Sequence, residues 1–339
     1  MRRTLATVCL VAVLTACGGS SRLPTTPNPP PVVPPPPVLV STSGRIVNAL
    51  DHGQGIGGAT LQSDSLAGTA ADGEGHFILQ ASAASSVPLT VRISGSSIIE
   101  RTVLFKIPGD PVTVTTMPAA MDLTYFNEMC RSFGGIARWA TAPALVVERA
   151  VLGYGSGRVS IGETVPEATV ERTVNELRQV FPILTAGRFA DFASIEYRTT
   201  PAGGVSRIPD GAIGLTWQTQ LLEKFTHVAY GSREMGTDGL IRGEVALDRD
   251  WHVHGLPAGS RRDFFNVVQH ELGHAMGFSH TKKSPSFMYE VFLMTISPLD
   301  RQAFEIFMQR PNGNRSPDAD PSGSSLNLTV PAGRTIIDW

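Results

Sequence analysis

Apolar positions recur in three rhythms along the chain, and each predicts a different kind of structure. Between Ser43 and about Pro118 they come in short β-branched runs cut by glycine, aspartate and serine. Ser43-Gly44-Arg45-Ile46-Val47, Gly57-Gly58-Ala59-Thr60-Leu61, the Ala71-Asp72-Gly73 turn leading into Phe77-Ile78-Leu79, Leu89 to Ile93 and Arg101 to Leu104 read as strands of a small all-β sandwich. Beyond residue 120 the rhythm is mixed. Ala144 to Val147, Ile195 to Arg198, Ile213 to Trp217 and Arg242 to Leu247 predict four strands. Val170, Val174, Leu177, Val180 and Phe181, after Val165-Pro166-Glu167, recur at helical spacing and predict a helix. A second helix runs from Arg262 to Met276, with Phe264, Val267, Val268, Leu272 and Ala275 to bury its back and Asp263 in its first turn. The third rhythm is at the start, where Leu5 to Leu14 forms one short apolar run behind Met1-Arg2-Arg3.

That run is too short to span a membrane and has the charge and length of an export signal. Leu14-Thr15-Ala16-Cys17 resembles a bacterial lipobox, which implies cleavage after residue 16 and acylation of Cys17, with more than one acyl chain anchoring the protein to a membrane. Gly18 and Gly19 lack the aspartate of an inner-membrane retention signal, so the expected location is the outer membrane or cell surface. Pro24 to Pro37 is dominated by proline and predicts a polyproline II stalk extending roughly 40 Å. The expected divisions are therefore a signal at 1–16, an anchored linker at 17–40, the sandwich at 41–118, a catalytic domain at 121–310 and a Pro/Gly-rich tail at 311–339. The tail reads as loop, with Thr335-Ile336-Ile337 as a candidate final strand.

Composition adds two exclusions. A net charge of -2 over 339 residues, with 42% hydrophobic residues, describes an ordinary globular chain with no basic footprint for nucleic acid. Of the three cysteines, Cys9 leaves with the signal and Cys17 is acylated, so Cys130 has no partner for an intramolecular disulfide and is expected to be buried and inert.

The chemistry sits in His270-Glu271-Leu272-Gly273-His274-Ala275-Met276-Gly277-Phe278-Ser279-His280. Helical positions four apart lie about 40° from each other around the axis, so His270 and His274 address one point from successive turns. Glu271, one residue along, is placed to act as general base on a metal-held water rather than to share the ligand face. His280 cannot be reached by continuing the helix; Gly277 supplies the positive φ for a sharp turn, and His280 closes a metal site of three histidines. A string of this kind is expected by chance on the order of 10⁻⁵ times in such a chain.

These residues resemble the metzincin family of zinc endopeptidases. Ser284-Pro285-Ser286-Phe287-Met288-Tyr289, with Met288 eight residues after His280, looks most like the methionine turn of the matrixin branch. Ile296 to Phe304 is similar to the start of the matrixin C-terminal helix, with Ser297 as N-cap, Pro298 at the first helical position and Asp300 in the first turn. Its Leu299, Phe304, Ile306, Phe307 and Met308 would pack it under the ligand helix. Thr281 replaces the serine usual in matrixins, Tyr289 follows the methionine too closely to serve as a ligand, and no cysteine-switch motif surrounds Cys130. Residues 43–118 resemble a carboxypeptidase regulatory-like, transthyretin-type sandwich, whose expected role is to hold the protease off the membrane.

The resemblance implies an α+β zincin-like catalytic domain preceded by a small all-β sandwich domain, one catalytic Zn²⁺ on His270, His274 and His280, and hydrolysis of protein or peptide substrates by a zinc-held water that Glu271 activates. Met288 would floor the metal cage. One strand before the ligand helix would be the edge that pairs with an extended substrate, with Leu215 and Trp217 as candidates. Glu290, Val291 and Phe292 would wall the pocket for the side chain after the scissile bond, with an apolar preference. His227, His252 and His254, with Asp238, Asp248 and Asp250, are candidates for an additional Ca²⁺ or Zn²⁺ site, but their spacing departs from the matrixin pattern and surface or capping roles are expected. His52 and His76 are expected at surface turns. The alternative is a surface binding or adhesion lipoprotein with a vestigial protease domain.

Overall fold

Half-buried strands with period-two alternation open the described part of the chain. The structure, a computed structural model, describes residues 38–82, 88–154, 157–219, 228–249, 264–290, 294–322 and 334–338. The export signal, Cys17, the stalk, His227, Asp250, His252, His254, Val291 and Phe292 lie outside the described residues. No described helix is long and apolar enough to cross a membrane.

The strands β1 (Val40–Asn48), β2 (Asp51–Gly55), β3 (Thr60–Ser63), β4 (Leu66–Ala70), β5 (His76–Ala81), β6 (Leu89–Ser94), β7 (Arg101–Phe105) and β8 (Val112–Thr116) form two four-stranded sheets. In one, β1 pairs antiparallel with β2 and β5 and parallel with β8; the other runs β4-β3-β6-β7. Alternate residues point inward, Phe77 and Leu79 from β5 and Val91 and Ile93 from β6, to meet Ile46, Leu61, Val103 and Phe105 in a core of their own. β2, β4 and β8 are additional to the predicted strands, and β2, Asp51-His52-Gly53-Gln54-Gly55, contains no apolar side chain to announce it.

The second part begins with helix α1 (Leu123–Cys130), whose N-cap Asp122 accepts from the Tyr125 amide at 3.0 Å. Strands β9 (Ala144–Leu152) and β10 (Ser160–Thr164), helix α2 (Glu167–Leu184), and strands β11 (Ile195–Arg198), β12 (Ala212–Gln218), β13 (Ala229–Gly236) and β14 (Gly239–Asp248) follow. The ligand helix α3 (Phe264–Met276), helix α4 (Pro298–Gln309) and strand β15 (Arg334–Asp338) complete the order. The sheet runs β10-β9-β12-β14-β13-β15, with β11 also on β9; β9, β11, β12 and β14 are parallel, and β13 runs against β14. α3 packs on β13 and β14 and against α2.

Two expectations are corrected here. β12 is an interior strand between β9 and β14, and Leu215 and Trp217 are fully exposed to neither solvent nor substrate: both are 0% accessible. Every residue of β12 is buried, as befits a strand in the middle of a parallel sheet. Neither residue can pair with or touch an extended substrate.

The segment 311–320, expected as loose tail, is built into the molecule. Asp318 is completely buried and accepts a bidentate pair of bonds from Arg310, 2.8 Å each, together with Arg101 of β7 at 3.3 Å. Backbone bonds Thr102 N to Asp318 O (3.0 Å) and Asp320 N to Thr102 O (2.9 Å) add the segment to the edge of β7. Aspartate in a Pro/Gly-rich stretch reads as solvated, but Arg310 nearby and Arg101 and Arg131 from remote parts of the chain convert it into a staple between the two halves.

Candidate metal centre

The core-facing residues of α3, Val267, Val268, Leu272 and Ala275, are fully buried, and this fixes the direction in which His270 and His274 project. The helix ends because Gly277 takes φ +112°, a conformation that L side chains rarely adopt, and a Cβ there would lie 2.3 Å from the Ala137 carbonyl oxygen. The amide of Phe278 donates back to the Gly273 carbonyl at 3.0 Å, closing the cap. Phe278 then inserts among Phe304, Phe307 and Phe287, with ring centroids 4.7 to 6.0 Å apart, and leaves His280 turned back toward the helix. Through these rings α4 supports the third-histidine turn.

The Nε2 atoms of His270 and His274 each lie 3.1 Å from Nε2 of His280. The Nδ1 atoms face carbonyls instead: Phe287 O at 2.7 Å from His270 and Phe278 O at 3.0 Å from His274. Each Nδ1 therefore carries the proton, and each Nε2 presents a lone pair. Burial forces the neutral form. It lowers His270 to about 3 and His274 well below its ordinary value, and lowers His280 to about 4, with Arg233 adding to the effect on His280.

The Nε2 atoms of three neutral imidazoles converge here, a donor set suited to a cation. Tetrahedral bonds of about 2.0–2.1 Å to a zinc ion would separate the nitrogens by about 3.3 Å, close to the observed spacing, so the donor set fits zinc. Among the described residues this triad is the one group able to hold a metal.

Met288 is fully buried against the underside of α3: a Cβ on Gly273 would lie 2.8 Å from its sulfur and 2.6 Å from the Phe287 ring. Glycine at 273 thus lets the methionine turn approach the helix between the two histidines. Thr281 N donates to Met288 O at 2.9 Å, tying the third-histidine loop to that turn. Glu271 is 2% accessible and directly follows His270 in α3.

Several residues that support the triad had no local signal. Arg233 of β13, 1% accessible, donates to His274 O at 3.1 Å, Phe278 O at 2.5 Å and Ser279 Oγ at 2.6 Å, although burial lowers its pKa to about 9. Asp300 of α4 accepts from Ser286 Oγ (2.7 Å), Phe287 N (3.2 Å), Ser297 N (2.7 Å) and the Tyr125 hydroxyl of α1. Glu128 of α1 accepts from Thr281 Oγ1 at 2.8 Å. Only the capping box between Ser297 and Asp300 was foreshadowed by spacing. Cys130 is buried, and desolvation raises its pKa well above the usual thiol value, as expected of an inert cysteine. His52 and His76 are exposed, His52 beside Glu305 and Gln309 and His76 beside Asp72.

The matrixin family model matches residues 226–305. That span carries β13, β14, the ligand helix, the methionine turn and the first two thirds of α4. It supports a matrixin-like metalloprotease domain and, with the triad, zinc as the ion. No curated protein matches the chain. Among solved structures, two interface mutants of the type II cohesin–X-dockerin complex from Acetivibrio cellulolyticus are similar over 25% of this chain and 60% of theirs, at 19% identity and a TM-score of 0.19. The likeness is too slight to assign a fold.

Proposed function

We propose that the protein is an exported, lipid-anchored zinc endopeptidase of the bacterial cell envelope, held off the membrane by a proline stalk and a transthyretin-type sandwich. The observation that carries the reading is the convergence of three neutral imidazole Nε2 atoms beside a buried glutamate within the matrixin-matched span. A bound zinc would supply Lewis-acid polarisation of a scissile carbonyl and lower the pKa of water toward about 7. Glu271 would accept the proton of the attacking water and deliver it to the leaving amine. His270, His274 and His280, held by Phe287 O, Phe278 O and the Met288 turn, would keep the metal in one place. Glu290, Val291 and Phe292 remain the proposed wall of an apolar side-chain pocket.

The test is hydrolysis of a quenched-peptide library by zinc-loaded protein. Glu271→Gln should keep one zinc and lose about 10²- to 10⁴-fold in rate. Equal cleavage by that variant would remove Glu271 from the chemistry, and zinc-loaded wild type that cleaves nothing would favour a binding role.

A further inference from the structure

β13 is the strand that presents the sheet to the metal centre. At Gly231 it approaches α3 so closely that a Cβ would lie 2.5 Å from both Glu271 O and His274 Cβ, and two residues on Arg233 bonds the carbonyls of His274 and Phe278. One edge of β13 is paired with β14. The other is covered by the C-terminal strand β15, antiparallel, in the register Tyr230↔Asp338, Gly231↔Ile337, Ser232↔Ile336, Arg233↔Thr335 and Glu234↔Arg334. Ile337 thus lies opposite the residue that packs on the turn bearing Glu271 and His274. Among the described strands β15 pairs with β13 alone, and residues 323–333 join it in sequence to the segment that carries Asp318.

We infer that the chain's own C-terminal strand is an intramolecular competitor, filling the outer edge of β13, the sheet edge to which the metzincin resemblance assigns an extended substrate. The inference rests on the endopeptidase reading for the identity of the external ligand. Its physical basis is independent of that reading. An unpaired strand edge binds any extended chain through main-chain hydrogen bonds and cannot hold two chains at once. A tethered strand meets that edge at an effective concentration in the millimolar range, so it outcompetes a dilute external peptide of the same intrinsic affinity. An adjacent strand lies about 4.8 Å from β13, so substrate and tail would need the same position. Releasing β15 would open the edge and leave His270, His274, His280 and Glu271 in place.

The experiment uses zinc-loaded protein with Thr335→Pro and Ile336→Pro combined. Hydrogen-bonded and non-bonded residues alternate in an antiparallel ladder, so one of two adjacent prolines removes a donor. A fluorescent peptide of sequence 331–339 should bind the variant about tenfold or more tightly than it binds wild type, and KM for an extended peptide should fall by a similar factor at unchanged kcat and zinc content. Equal peptide affinity and equal KM would overturn the inference. Tail-peptide binding by the variant, with no cleavage by either protein, would uphold the strand and refute the endopeptidase reading. A chain lacking residues 331–339 gives the same readouts if the proline variant does not fold.

Discussion

Asp300→Ala should damage both the stability of the protein and its grip on the metal. Two carboxylate oxygens collect four donors from three places: the Tyr125 hydroxyl of α1, Ser286 Oγ and Phe287 N of the methionine turn, and Ser297 N at the start of α4. After truncation the Tyr125 and Ser286 hydroxyls, 3.3 Å apart, can satisfy each other. The Phe287 and Ser297 amides cannot, and each buried orphan costs about 1–3 kcal/mol, which sums to about 2–6 kcal/mol. The same turn carries the Phe287 carbonyl that orients His270, so zinc affinity should fall about 10- to 100-fold. Urea unfolding of the metal-free protein measures the first effect, and competition with a chromogenic chelator the second. Asp300→Asn keeps the volume and one acceptor oxygen and should lose less on both counts. A loss under about 1 kcal/mol for the alanine variant, with zinc affinity unchanged, would refute the argument that Asp300 organises the turn.

Acidity provides a separate check. Burial lowers His270 to about 3 and His280 to about 4, whereas the unfolded chain's histidines titrate near 6.5, so between those values only the unfolded state takes up protons. The stability contribution of neutral imidazoles is complete above about pH 6.5 and is lost as pH falls toward 4. Metal-free protein should show that decline in urea midpoints, and His270→Ala should show a shallower one; identical slopes would contradict it. Asp318→Asn should cost about 3–5 kcal/mol in denaturant titrations, because Arg310 and Arg101 would keep buried charges without their carboxylate; a loss under about 1 kcal/mol would remove the staple from the account.

The metal centre was legible because its geometry is local. Four-residue spacing on one helix, a glycine at the helix end and a methionine turn eight residues later are all fixed by nearby chain, and the structure brings His270, His274, His280 and Met288 together where spacing placed them. The supporting residues were hidden because their partners are remote: Arg233 reaches the triad from β13, Tyr125 and Glu128 from α1, before the first strand of the sheet. β13 itself, Ala229-Tyr230-Gly231-Ser232-Arg233-Glu234-Met235-Gly236, lacks the apolar run of its neighbours, with Gly231 and Arg233 meeting α3 at positions where an aliphatic side chain would announce a strand. The misplacement of Leu215 and Trp217 has a related cause. Ile213, Leu215 and Trp217 share one face and Gly214 and Thr216 the other, an alternation that suits an edge strand as well as an interior one, and burial on both faces is set by the remote neighbours β9 and β14.

On the proposed reading, His270, His274 and His280 hold one zinc ion. X-ray absorption at the zinc edge, on protein reconstituted with one equivalent of zinc, tests it most directly. Three imidazole nitrogens at about 2.0–2.1 Å plus one oxygen scatterer are expected, with that signature lost in His280→Ala. Zinc that fails to bind, or that keeps the same coordination in the His280→Ala variant, would contradict it.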